Sequence, residues 1–139
     1  MAEDQPLILM VSPEEEALRP VRAALEDRGY AIHRVPDLQS ALNVLASVPV
    51  RATMTHMATT HPDAPEAVRI LRQAYPDVPH LILVDPAAEA DALSRVRPGG
   101  PQIIRALPDD EGKWLAPLEG ALAARERARR RDRLRGSIP

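Results

Sequence analysis

Cysteine and phenylalanine are both absent from the 139 residues, and Tyr30, Tyr75 and Trp114 are the only aromatic side chains. Without thiols there can be no disulfide, no thiolate nucleophile and no cysteine-ligated zinc. With so few rings the core must be built from Ala, Leu, Val and Ile, and little is left for base stacking. No apolar run approaches the roughly 20 residues of a membrane span, and no basic start leads into an apolar segment and cleavage site. The expectation is a soluble, cytoplasmic protein without a membrane span. Catalytic signatures are missing too: there is no G-x-S-x-G, no G-x-G-x-x-G, no G-x-x-x-x-G-K and no Ser-His-Asp spacing. Gly99-Gly100-Pro101 precedes a strand rather than a helix, so it does not form a phosphate cradle.

What is present is the composition of one globular domain, 45% apolar and 27% charged, with 15 prolines that keep its elements short. The net charge of -2 conceals an asymmetry. From Glu119 onward seven arginines face Glu119, Glu126 and Asp132, a net of +4, which leaves -6 on the first 118 residues. The body is acidic and the end basic.

Five strand and helix pairs can be traced. Leu7–Val11 and His80–Val84 are continuous apolar runs, the pattern of strands covered on both faces. Ser12-Pro13-Glu14-Glu15 predicts a helix start with a capping box, acids suited to a first turn, a stripe of Ala17, Leu18, Val21, Ala24 and Leu25, a kink at Pro20 and a stop at Gly29. Tyr30–Val35 reads as a second strand and Ala52–His56 as a third. Asp37 caps a helix carrying Leu38, Ala41, Leu42 and Leu45; Asp63-Ala64-Pro65-Glu66 opens another, with Ala67, Val68, Leu71 and Tyr75 inward. Asp85-Pro86 starts a fourth helix, with Leu93 and Val96, and makes a cap the expected role of Asp85. Gln102–Ala106 is a fifth strand, and a last helix follows Asp109 or Asp110, with Pro117 as its kink or its beginning. Strands alternating with helices imply right-handed crossovers, hence an α/β sandwich with a parallel sheet.

The element order and the segments LILMVS, LILVD and QIIRALP resemble the receiver domain of bacterial response regulators over roughly residues 6–124, leaving 125–139 as an Arg-rich tail or linker. The resemblance implies a flavodoxin-like (receiver-like) three-layer sandwich, a five-stranded parallel sheet of order 2-1-3-4-5 with helices on both faces. It also implies five chemical positions, none of which carries the family's residue. The paired acids that hold Mg²⁺ are replaced by Ser12 and Pro13, and the phosphoacceptor aspartate by His56. Asp85 stands at the switch hydroxyl, and Leu107, or Ala106 with a one-residue shift, at the lysine before a proline. Ile103 or Ile104 takes the aromatic switch position. A hard cation wants carboxylate oxygens, and proline offers no side-chain oxygen, so no phosphotransfer mechanism remains.

The resemblance therefore predicts a degenerate, phosphorylation-independent pseudo-receiver. It would have no catalysis and no cofactor, and would act by protein–protein contact or as a homodimer in a bacterial signalling or regulatory pathway. In the family, partners dock on the face of the fourth helix, fifth strand and fifth helix, here carrying Leu93, Val96, Trp114 and Leu118. The alternative is a regulator whose basic end contacts nucleic acid, or leads to an RNA- or DNA-binding output domain, through Arg125, Arg129, Arg130, Arg131, Arg133 and Arg135. A small flavodoxin-like enzyme is the third reading. In MTHMATTH, Met54, His56, Met57 and His61 suggest a soft metal site, but no carboxylate or cysteine completes the set at recognisable spacing, and ordinary packing outweighs it. A phosphohistidine at His56 is outweighed as well. His33 and His80 read as strand-surface residues.

Overall fold

The computed structural model describes residues 6–61, 63–96, 102–105 and 115–136. Five parallel strands, β1 (Leu7–Val11), β2 (Ala31–Val35), β3 (Ala52–Met57), β4 (His80–Val84) and β5 (Gln102–Arg105), lie in the order β2-β1-β3-β4-β5. The helices α1 (Arg19–Asp27), α2 (Leu38–Ser47), α3 (Ala64–Ala74), α4 (Glu89–Arg95) and α5 (Leu115–Gly136) connect or follow them. This is the expected sandwich and strand order. The three inner strands β1, β3 and β4 are buried at nearly every position because both of their faces are covered. Ile8, Met10, Met54, Leu81, Leu83 and Ile104 pack with Leu25 of α1 and Leu118 of α5 on one side. Leu9, Val11, Val35 and Leu71, and separately Met57, Val68, Ile82 and Val84, fill the other.

The first helix departs from the expectation. Instead of starting after Ser12, the chain makes a short 3-10 turn at Glu16–Leu18, and α1 opens with Pro20 in its first two positions. Proline has no N–H to lose there and its fixed φ suits a helix start, so Pro20 begins the helix rather than kinking it. Leu18, Val21 and Leu25 still face the core. Asp37 caps α2 as expected, accepting from the Ser40 N–H at 2.8 Å. Gly29 closes α1 with φ +92°, the left-handed conformation anticipated for it.

The boundary drawn at residue 125 falls inside α5, which is continuous to Gly136. Pro117 lies in its first turn, where proline is tolerated. Arg125 Nη1 donates to the carbonyls of Val50 and Arg51, each at 2.9 Å, and Arg51 pairs with Glu126 at 3.7 Å. These contacts tie the helix to the loop that feeds β3. Among the described residues, no helix is long and apolar enough to cross a membrane.

Candidate functional site

Parallel strands deliver their carboxyl ends to one edge of the sheet, and ligands of open α/β folds bind there. The ends of β1, β3 and β4 bring Ser12, His56 and Asp85 together at that edge. His56 Nδ1 lies 3.1 Å from Ser12 Oγ, and His56 Nε2 lies 2.9 Å from Asp85 Oδ1. The imidazole is thus held at both nitrogens while its side chain is 1% exposed.

Every polar atom of Ser12 has a partner. Its N–H donates to Val35 O at 2.8 Å, its carbonyl accepts from Arg34 Nη1 at 2.6 Å, and its hydroxyl oxygen accepts the Glu14 N–H at 3.0 Å while lying 3.2 Å from Glu14 O. The hydroxyl caps the loop two residues on, not a helix three residues on, so the capping box is not formed. Asp85 is also reassigned. Its side chain makes no capping hydrogen bond to the 3-10 turn at Pro86–Ala88 and instead turns to His56, while its N–H donates to Met57 O at 3.0 Å.

A serine, histidine and aspartate in hydrogen-bonded sequence invite comparison with a nucleophilic triad. The comparison fails on access, because Ser12 is 1% exposed and its oxygen already accepts a backbone N–H. His56 lies in the same shielded place: its ring is buried and each nitrogen has a neighbour within hydrogen-bond distance.

Glu14 and His61 complete the edge. After β3 the chain doubles back in a tight turn, with reciprocal backbone hydrogen bonds between Ala58 and His61 at 3.0 and 3.4 Å. This returns the His61 ring over the strand end, 5.3 Å from the His56 centroid and inclined by 63°. Glu14, freed by the late start of α1, reaches His61 Nε2 with Oε2 at 3.3 Å. First-turn capping was the expected role of Glu14, and the structure replaces it with this contact. It also supplies the carboxylate whose absence from the local sequence argued against a metal set. Met54 and Met57 are not part of the cluster, since each packs into a different core.

Pro13 is exposed and contributes no ligand atom. The receiver fold implies a Mg²⁺ ion at this edge; the positions that would hold it carry a hydroxyl, a pyrrolidine and an imidazole, which do not fit a hard cation that requires oxygen anions, and the nearby Asp85 and Glu14 carboxylates are turned to His56 and His61. Leu107 and Trp114 lie outside the described residues. Leu118, anticipated on the docking face, is fully buried on the core side of α5, whereas Leu93 is 60% exposed and Val96 packs partly against the core. Arg130 and Arg131 are exposed, and the side chains of Arg129, Arg133 and Arg135 lie outside the described set.

His80 was expected on the strand surface and is buried instead. Its Nδ1 lies 2.8 Å from Thr53 Oγ1 and its Nε2 2.8 Å from Tyr75 O, a geometry that suits the neutral ring. Burial pushes its pKa below the ordinary value; the Tyr75 carbonyl opposes this, and the Arg72 and Arg125 charges reinforce it.

No family model matches the sequence, and no curated protein does. Solved structures do. The signal receiver domain of an HD domain-containing protein from Pseudomonas fluorescens Pf-5 superimposes with a TM-score of 0.73 at 25% identity, covering 91% of this chain and 93% of that one. A response regulator receiver protein from Sinorhizobium medicae WSM419 gives 0.70 at 21%, covering 88% and 98%. NtrX from Brucella abortus gives 0.78 at 21%, covering 94% of this chain but 29% of its own. The chain therefore has the fold of response-regulator receiver domains along most of its length.

Proposed function

We propose that the chain is a phosphorylation-independent pseudo-receiver that acts in bacterial signal transduction through contact with a partner protein or a second copy of itself. The observation that carries this reading is the Ser12–His56–Asp85 chain of hydrogen bonds, at 3.1 and 2.9 Å, standing where a receiver needs free carboxylates. Such a module has no catalysis of its own, works in the cytoplasm and signals by presenting a surface. Leu93, Val96 and Trp114 are the residues proposed for that surface; Leu118 supports it only from beneath. In the test, self-association is measured by sedimentation with and without Mg²⁺ and a small phosphodonor. Identical association in both conditions is expected, and association that appears only with donor contradicts the reading.

A second reading is favoured by the reach of α5, which runs to Gly136 with Arg127, Arg130 and Arg131 exposed along it. A basic helix of this kind suits nucleic acid, whose binding weakens steeply with salt as counterions are released. Titrating duplex DNA and RNA at increasing salt decides. Affinity that falls steeply with salt supports the arm, and no measurable affinity at low salt removes it.

A further inference from the structure

Among the described residues, Glu14, His56 and His61 each bring one ligand atom to within 4.8 Å of the others. We infer that this cluster is a binding site for a divalent transition-metal ion of the zinc type. The site adds an effector to the pocket on which the proposed function rests.

The donor set argues first. Two imidazoles and one carboxylate suit zinc, whereas magnesium asks for oxygen ligands in octahedral array. Geometry argues second. Ligands roughly 2.0 to 2.1 Å from a tetrahedral ion sit about 3.3 Å from one another. Glu14 Oε2 and His61 Nε2 are already 3.3 Å apart.

The state of the ligand atoms argues third. His61 Nε2 is shielded from solvent and has no aligned hydrogen-bond partner among the described residues, despite its proximity to Glu14. A shielded ring nitrogen without a partner is costly unless something occupies the space in front of it. His56 is prepared from behind: with Nε2–H donating to Asp85, the lone pair of the neutral ring is on Nδ1, and the carboxylate behind a ligating histidine fixes its tautomer and raises its basicity. The Ser12 hydroxyl that now meets Nδ1 can turn to the Glu14 carbonyl oxygen, 3.2 Å away.

The scaffold argues last. His56 is set in a strand and His61 by the Ala58 turn, so two ligands are positioned by backbone. Glu14, 46% exposed, is free to swing onto the ion. Three protein ligands leave a fourth position for water or for a side chain of a partner.

The test uses the full chain after treatment with a chelator, titrated with Zn²⁺ by calorimetry and with Mg²⁺ for comparison. One Zn²⁺ per chain is expected, with no response to Mg²⁺. His61→Gln and Glu14→Gln should each weaken binding by about tenfold or more, as loss of a ligand requires. His33→Gln, at an exposed position of β2, should bind as the parent does. Unchanged melting before metal is added verifies the fold of each variant, and Co²⁺ should give the intense visible bands of a tetrahedral site that vanish in His61→Gln. Absence of Zn²⁺ binding, or binding by His61→Gln and Glu14→Gln as tight as that of the parent, overturns the site. The two proposals fail separately, because a phosphoryl adduct would overturn the proposed function whether or not zinc binds.

Discussion

Asp85 Oδ1 stands 2.9 Å from His56 Nε2, so the side chain that follows β4 neutralises the polarity of a ring buried at the end of β3. Replacing Asp85 with alanine leaves the shielded Nε2–H without its acceptor. Because Asp85 is 39% exposed and water can enter, the expected loss is at the low end for such a bond, about 1 to 2 kcal/mol. Asp85→Asn keeps an acceptor and should cost less than about 1 kcal/mol. Urea unfolding of the two variants checks this, and an Asp85→Ala protein as stable as the parent would show that the pair contributes nothing.

His80 gives the pH dependence a definite sign. Its folded-state pKa lies below the ordinary 6.5, so between those two values the unfolded chain binds more protons than the folded one. Its contribution to stability is complete above about 6.5 and is lost as the pH falls through the folded value. Unfolding free energies measured from pH 7.5 down to 5 should decline, and His80→Gln should decline less steeply. Equal slopes would mean that His80 is not the group responsible.

Arg125 should behave as part of the body. Its two bonds to the Val50 and Arg51 carbonyls make Arg125→Ala cost about 1 to 2 kcal/mol. Deleting 127–139 should change stability by less than about 1 kcal/mol, since Leu134, the one large apolar side chain described there, is 67% exposed. Thermal melts of both proteins test the contrast, and a reversed order would move the boundary of the folded unit beyond Glu126.

Two glycines should respond in opposite directions. At Gly29 an added Cβ meets nothing within 4 Å, so the cost of Gly29→Ala is that of the +92° backbone alone, about 1 to 2 kcal/mol. Gly120 lies inside α5 with equally open space, and Gly120→Ala should stabilise by about 0.5 to 1 kcal/mol through helix propensity. Denaturant midpoints measured side by side check both signs.

Local signals in the sequence sufficed for the architecture. LILMV and HLILV announce buried strands by their unbroken apolarity, and Asp37 marks a helix start by a contact three residues away. The start of α1 was harder, because Pro13 and Pro20 both offer a proline-led opening and local pattern does not choose between them. The chain chose Pro20, which buries Leu18, Val21 and Leu25 and leaves Glu14 in a loop. The contents of the site followed from that choice and from topology. His56 and Asp85 are 29 positions apart, and only the adjacency of β3 and β4 makes them partners. Glu14 meets His61 across β1 and β3 in the same way, which no spacing rule along the chain anticipates. His80 looked like a surface residue by composition, but all of β4 is inner strand, and Thr53 and the Tyr75 carbonyl satisfy it there.

On the proposed function, the sheet edge that carries the phosphoryl group in receivers takes none in this chain. Intact-mass measurement after incubation of the chain with Mg²⁺ and a small phosphodonor tests it most directly. No mass increase is expected for the parent and none for His56→Asp, since Ser12 and Pro13 still supply no carboxylate for the metal. A stoichiometric, acid-labile phosphoryl adduct on the parent chain would contradict it.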